Sequence, residues 1–249
     1  MTLQLSGAIS ISDLVAEFGG SAPHSLSEYY RGGSLVPNTG TNSGVPTSGA
    51  ISLTDFYGAS AAVIAEFTSG SGTYSVPSGY TSCTAYIYGA GGGGSRNTVL
   101  GGVNGGGGGG YSTRVFSVND TNSIEWQVGI GGAGRTTSNG NGSSGGGSRV
   151  RYPSISPTID MIALAGGGGT TSAVGSGGTA SGGTTNITGD AGIGGGLGGD
   201  GGDAAGPEGG VGGSGTGGDD GTIPGGGGSG GLSTDGGDGA NGKVILIFS

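Results

Sequence analysis

Few side chains in this sequence could perform catalysis or bind a metal. Cys83 and His24 are each the only residue of their type among 249 residues, which excludes an internal disulfide and a cysteine-based zinc site. Cys83 lies in the alternating stretch SCTAYIY, where the pattern predicts a small buried strand residue rather than half of a catalytic Cys/His pair. No Ser/His/Asp order, carboxylate pair or metal-ligand cluster is recognisable. We therefore expect neither an enzyme nor a bound cofactor or metal.

Two glycine-rich motifs resemble ligand-binding loops. The stretch YGAGGGGS (88–95) contains GxGxxG directly after a predicted strand, as a dinucleotide site requires, but no helix pattern and no βαβ unit follow. The stretch GGDGGDAAG (198–206) fits the calcium-binding nonapeptide loosely and does not recur in tandem. We expect its carboxylates, Asp200 and Asp203, to be solvated turn residues.

Charge and hydropathy exclude two classes of partner. The formal net charge is −9, and residues 166–242 hold eight Asp and Glu residues with no Lys or Arg. Such an acidic surface repels phosphate backbones, so we expect no nucleic acid partner. No apolar run of 18 residues occurs, and the segment MTLQLSGAIS has neither a basic region nor a long apolar run. We expect no membrane insertion and no classical export signal.

The sequence divides into two zones. Residues 1–60 contain the related segments SGAISISD (6–13) and SGAISLTD (48–55), in which Ser and Asp can cap a short helix that Gly then ends. From residue 61, β-prone runs alternate with glycine tracts, and the final KVILIF is apolar on both faces, which is typical of a central strand. We predict an N-terminal attachment module (1–60) with short helices, and a mainly β, glycine-rich domain (61–249) with a small β-sandwich-like core.

Within four runs between residues 166 and 242, glycines recur at every third position, interrupted only by Ser172 and Ser233. A period of three matches the extended left-handed helix with a rise of about 3.1 Å per residue, which has no internal hydrogen bonds. Glycine along one edge lets such helices approach until N–H and C=O groups bond between neighbours. We predict a bundle of polyglycine II helices, with rods about 40 to 50 Å long. The predicted rods are 166–178, 189–201, 206–221 and 227–242.

The links between these rods are the candidate contact sites. If the rods alternate in direction, links 179–188 and 220–225 lie at the same end of the bundle. Isoleucines in these links either form a contact surface or cap the core of the bundle, and the sequence leaves both alternatives open. The candidate contact residues are Thr184, Thr185, Asn186, Ile187, Thr222, Ile223 and Pro224.

Five stretches carry a resemblance to a known family. They are YTSCTAYIYGAGGGGS, GGGGGGYSTRVFSV, WQVGIGGAGR, GGDGANGKVILIF and the N-terminal SGAISLTDFYG. Together they resemble the glycine-rich domain of tail fibre and tail-tip proteins of tailed bacteriophages. The resemblance implies a virion component, extracellular after release and similar to the polyglycine-helix adhesins of T-even-like phages.

In such adhesins, loops on a polyglycine scaffold contact a host surface receptor, here an outer-membrane protein or a glycan. Residues 1–60 are then expected to dock to other tail proteins. Two alternatives are a purely structural tail or baseplate subunit, and an ice-binding glycine bundle. The irregular Asp, Leu, Val and Glu insertions at 190–211 argue against the flat, regular face that ice binding requires.

Overall fold

Among the residues that the computed structural model describes, helices lie within residues 11–56 and strands follow from residue 63 onward. The structure describes residues 3–77, 80–99, 101–196, 198–215 and 217–248. It divides into an N-terminal unit, residues 1–64 with 247–249, and a glycine-rich unit, residues 65–246. No helix in the described part of the chain is long and apolar enough to cross a membrane.

The N-terminal unit contains three short helices that begin in the same way. They are the α-helix Ile11–Phe18 and the 3₁₀ helices Leu26–Tyr29 and Leu53–Phe56. Ser10, Ser25 and Ser52 precede them, each with a reciprocal capping box that satisfies amide groups at the start of a helix. The two helical elements predicted from the repeat are therefore confirmed, and a third lies between them.

The glycine-rich unit is mainly β, as predicted, with two five-stranded, sandwich-like sheets. The strand order is β1-β14-β3-β6-β11 in the first sheet and β10-β9-β8-β7-β2 in the second, while β12-β5 and β13-β4 form two short pairs. The strands are β1 (Val63–Phe67), β2 (Ser71–Ser75), β3 (Ser82–Tyr88), β4 (Arg96–Asn97), β5 (Val103–Asn104), β6 (Tyr111–Ser117), β7 (Ser123–Gln127), β8 (Ser148–Tyr152), β9 (Ile159–Ala163), β10 (Ala180–Ser181), β11 (Thr185–Ile187), β12 (Gly194–Gly195), β13 (Gly231–Leu232) and β14 (Lys243–Phe248).

Side chains of alternating strand residues fill the space between the two sheets. Strand β3 buries Cys83, Ala85 and Ile87 and lies against β8 and β9 of the other sheet. The rings of Phe116 and Tyr152, one from each sheet, have centroids 5.5 Å apart. The burial predicted for Cys83 is confirmed, and the strand predicted from KVILIF lies inside its sheet between β1 and β3.

The strands continue into glycine segments beyond the sandwich. Segment 89–96 leaves β3 and segment 104–110 enters β6, so the antiparallel pair Tyr88↔Tyr111 is followed by the bond from Gly89 N–H to Gly110 C=O at 2.8 Å. In the same way, 129–135 leaves β7, 140–147 enters β8, 164–169 leaves β9 and 236–242 enters β14. The bundle is thus an extension of the two sheets.

Successive amides of a central segment bond to different neighbours. Gly92, Gly93 and Gly94 donate to the carbonyls of Gly107, Ser143 and Gly237 at 2.9, 2.9 and 2.8 Å. The next residue returns to the first neighbour, because Ser95 donates to Asn104 at 3.0 Å. Segment 89–96 therefore has six neighbours: it donates to 104–110, 140–146 and 237–240, and it accepts from 132–135, 166–169 and 228–231.

Segments 104–110 and 226–231 are surrounded in the same manner. Within the first of these, Gly106, Gly107 and Gly108 donate to the carbonyls of Gly228, Gly167 and Asp190, all at 2.9 Å. A repeat of three residues with bonds only to neighbours is the pattern of polyglycine II helices. The predicted bundle is present, and its three central segments include glycine tracts that the threefold spacing did not identify.

The rods are shorter than predicted, because the chain reverses inside each of the four runs. Bonds from Gly167 to Ser176, Ile193 to Asp200, Ala204 to Gly210, and Gly237 to Ser229 join antiparallel neighbours within one predicted rod or across its end. Segments of five to eight residues at about 3.1 Å each measure about 15 to 25 Å. The predicted length of the rods was therefore wrong.

We predict that Gly92→Ala destabilises the glycine-rich unit, because the new Cβ would overlap the backbone carbonyl of Gly167. We expect the free energy of unfolding to fall by at least about 2 kcal/mol, as measured by chemical denaturation. The control is Gly196→Ala, whose Cβ meets nothing within 4 Å. Equal stability of the two variants would contradict close backbone packing around Gly92.

Candidate functional site

The bundle has one end that is continuous with the sandwich and one that is not. Because 89–96 runs away from β3 and 104–110 runs back into β6, the connection between them lies at the far end. The same holds for the turns between the other outgoing and returning segments. We call these turns the apical loops: residues 97–99, 101–103, 136–139, 170–174, 194–196, 214–215 and 232–235.

Side-chain and backbone hydrogen bonds tie the apical loops to one another. The Asn139 carboxamide oxygen accepts from both the N–H and the hydroxyl of Thr98, each at 2.8 Å. The amide of Ser233 donates to the Asn97 carbonyl at 2.8 Å. These contacts place loops 97–99, 136–139 and 232–235 side by side.

One buried and one partly buried polar residue anchor the base of these loops. The carboxamide of Asn104, buried at the start of its segment, donates to the Thr170 carbonyl at 2.5 Å. The guanidinium of Arg96 donates to the Thr136 carbonyl at 2.5 Å and forms an ion pair with Asp235. The loops are therefore held by the bundle rather than by contacts among exposed side chains alone.

The surface of the apical loops is rich in hydroxyl and amide groups. Its aliphatic members include Val99, with 62% of its surface exposed, and Val174, with 39%. Such a surface can donate and accept hydrogen bonds and contact apolar groups. The exposed residues other than glycine are Thr98, Val99, Thr136, Thr137, Ser138, Asn139, Ser172, Ala173, Val174, Ser214, Ser233, Thr234 and Asp235.

The first group of predicted contact residues lies at the sandwich. Thr185, Asn186 and Ile187 form strand β11, which pairs with β6 as the last strand of its sheet. Thr184 comes directly before it and donates its amide to Thr113 at 2.8 Å. All four side chains are exposed, so they are available for contact, but on a sheet edge instead of a rod end.

The second group lies in a turn at the sandwich end of the bundle. Thr222 and Ile223 are exposed, whereas Pro224 is buried and its carbonyl accepts from Gly210 at 2.8 Å. The prediction that Pro224 is displayed was therefore wrong. The turn of residues 203–207, which joins two of the predicted rods, lies at this end too: Ala205 donates its amide to Gly109 at 3.0 Å and packs with Tyr88 and Tyr111. Burial, with the nearby Tyr111 and Glu208, raises the pKa of Tyr88 to about 12.

The motifs that resemble ligand sites have structural roles in the bundle. The glycines of YGAGGGGS belong to central segment 89–96, where a Cβ on Gly91 or Gly94 would overlap a neighbouring backbone. Asp203 and Asp200 accept hydrogen bonds from the amides of Gly212 and Gly215 at 2.7 and 2.9 Å. Among the described residues, no group of three or more His, Cys, Asp and Glu residues could hold a metal ion.

Sequence reasoning missed the apical loops 97–99 and 136–139. The tracts that flank them, GAGGGG and GGGGGG around the first, consist almost entirely of glycine, so no period of three stands out. The signal that could have found the loops is the order of the elements. One order of elements occurs twice between residues 82 and 152: a strand, a glycine tract, a polar stretch, a second glycine tract and a second strand.

One comparison with known families matches most of this chain. The sequence profile of the glycine-rich domain family matches residues 67–249, which include both sheets' central strands and the whole bundle. This chain belongs to the glycine-rich domain family. A search of curated proteins found no match. The matched region thus covers the apical loops and the sandwich apart from most of β1, and it begins after the three helices of the N-terminal unit.

We predict that Asn139→Ala releases the apical loop 136–139 from Thr98, because the accepting oxygen is lost. One hydrogen bond contributes about 1 kcal/mol, so exchange of the Thr98 amide should become about fivefold faster. Hydrogen exchange followed by NMR measures this rate. Thr137→Ala, at an exposed position of the same loop, is the control, and equal rates in the two variants would contradict the assignment.

Proposed function

We propose that this protein is a bacteriophage tail adhesin that recognises a host-cell surface receptor through its apical loops. In this proposal it is a virion component, extracellular after release, and residues 1–60 attach it to other tail proteins. The observation that carries the proposal is the position of the apical loops, which share one end of the bundle, away from the sandwich. The sequence resemblance to tail fibre and tail-tip proteins supplies the biological setting.

A stiff support favours recognition by loops. Every central segment bonds to six neighbours, so the ends of these segments are held in fixed positions. Ordering the loops before binding reduces the conformational entropy that is lost when a complex forms. Loops anchored by Asn104 and Arg96 are therefore ordered before binding.

The chemistry of the apical loops suits a glycan or a polar protein loop. Thr98, Thr137, Ser138 and Asn139 are exposed and can pair with sugar hydroxyls or backbone groups. Val99 and Val174 add an apolar contribution. The receptor in this proposal is accordingly an outer-membrane protein or a surface glycan.

Two matched double variants test where contact occurs. The apical variant carries Val99→Asp and Val174→Asp, and the sandwich-end variant carries Ile187→Asp and Ile223→Asp, so each replaces two exposed aliphatic residues with carboxylates. Particles that contain each variant are mixed with the bacteria they infect, and the rate of adsorption is measured. We expect at least a tenfold slower rate for the apical variant and a change of less than twofold for the other.

Thermal denaturation of both purified variants provides the folding control. Slow adsorption of the sandwich-end variant alone would move the contact surface to the loops of residues 184–187 and 222–224. Unchanged adsorption of both variants would overturn receptor recognition and support a structural tail subunit, whose loops contact other virion proteins.

A further inference from the structure

The N-terminal unit is built from three copies of one motif. Around each capping serine the same three contacts recur, first between the serine amide and the acidic residue three positions later. The amides of Ser10, Ser25 and Ser52 donate to Asp13, Glu28 and Asp55 at 2.8, 3.0 and 2.7 Å. Each serine hydroxyl also lies 2.8 to 2.9 Å from that of a Ser or Thr two positions later.

The third common contact is hydrophobic. Four positions after each capping serine stand Leu14, Tyr29 and Phe56, and all three are fully buried. The rings of Phe18, Tyr29 and Phe56 form a triangle with centroid separations of 6.2 to 6.4 Å. The three copies thus meet at one shared core.

Backbone contacts join the copies in a fixed order. The amide of Arg31, in the second copy, donates at 3.0 Å to the carbonyl of Pro46, which precedes the third copy in the chain. At equivalent positions, the amide of Gly58, in the third copy, donates at 3.1 Å to the carbonyl of Gln4, which precedes the first copy in the chain.

Tyrosine hydroxyls repeat this relation. Tyr30 of the second copy donates to the Gly49 carbonyl, at the start of the third copy. Tyr57 of the third copy donates to Gly7, at the same position of the first copy, at 2.5 Å. The first and second copies are consecutive in the chain, so contacts from second to third and from third to first close the three into a ring.

The similarity extends to exposed positions that neither the caps nor the core require. Four residues before each capping serine stands an exposed serine, namely Ser6, Ser21 or Ser48. Two residues before each capping serine the exposed residue is Ala8, Pro23 or Ala50. The ring therefore presents three small, uncharged surfaces of nearly the same composition.

We infer that this ring binds the end of a homotrimer, with each copy of the motif contacting one of three identical partner chains. A single chain can meet a threefold axis with equivalent contacts only if its own surface repeats three times around that axis. Sequence similarity at exposed positions is the feature that such a partner would require. The inference deepens the attachment role in the proposed function and depends on it.

Site-specific cross-linking tests this inference and identifies the partner in the same experiment. Ser6→Cys, Ser21→Cys and Ser48→Cys are made singly in the full chain and incorporated into particles. Cys83 is buried, so a thiol-directed photoreactive cross-linker reacts with the introduced cysteine. Mass spectrometry then identifies the cross-linked peptide. We expect all three variants to give the same peptide of the same partner protein.

The control is Val99→Cys in the apical loops, for which no cross-link to that peptide is expected. Native mass spectrometry of the isolated complex should show one copy of this chain for every three partner chains. Cross-links from the three positions to different partner regions, cross-links from a single position, or a 1:1 ratio would overturn the inference. Because adsorption is not measured here, failure of receptor recognition leaves this result unaffected.

Discussion

The structure depends on the satisfaction of backbone hydrogen bonds between segments that have almost no side chains. In segment 89–96, a Cβ on Gly91, Gly92, Gly93 or Gly94 would overlap the backbone of Gly226, Gly167, Ala133 or Ser229, respectively. Glycine is needed at these positions because the neighbours approach on every side, and none of the four has a positive φ angle. Fixing each residue costs about 1 to 2 kcal/mol of backbone entropy. Since little apolar surface is buried in the bundle, a nearly complete network of N–H and C=O pairs must offset that cost.

The sandwich sets the register of the glycine segments in the bundle. The sandwich has a core of side chains such as Ile87, Met161 and Leu246, and its antiparallel register sets which glycines face each other where the strands continue outward. The bond from Gly89 to Gly110 is the next step of the ladder that pairs Tyr88 with Tyr111. A polyglycine segment has no side-chain pattern with which to define its register, so we attribute the register of the bundle to the strands.

The acidic composition has a structural explanation at the surface of the bundle. Outer segments lack neighbours on one side, and aspartate side chains accept hydrogen bonds from some of their amides. Asp203, Asp200 and Asp238 accept from Gly212, Gly215 and Gly134 at 2.7, 2.9 and 2.7 Å. The net charge of −9 therefore reflects in part the capping of peripheral polyglycine helices, and it leaves the apical loops, where Arg96 pairs with Asp235, rich in uncharged groups.

The sequence by itself determined the mainly β class, the buried Cys83, the cap-forming repeat near the N-terminus and the presence of a polyglycine bundle. These properties follow from local patterns, namely alternation, Ser and Asp spacing, and a period of three. Only the tertiary structure decided where the rods end, which turns share one end of the bundle, and that Pro224 is buried. Those features depend on which segments are neighbours, and consecutive glycines hold no information about their partners. The partners are set by strands distant in the sequence, such as β3 and β6, whose pairing brings segments 89–96 and 104–110 together.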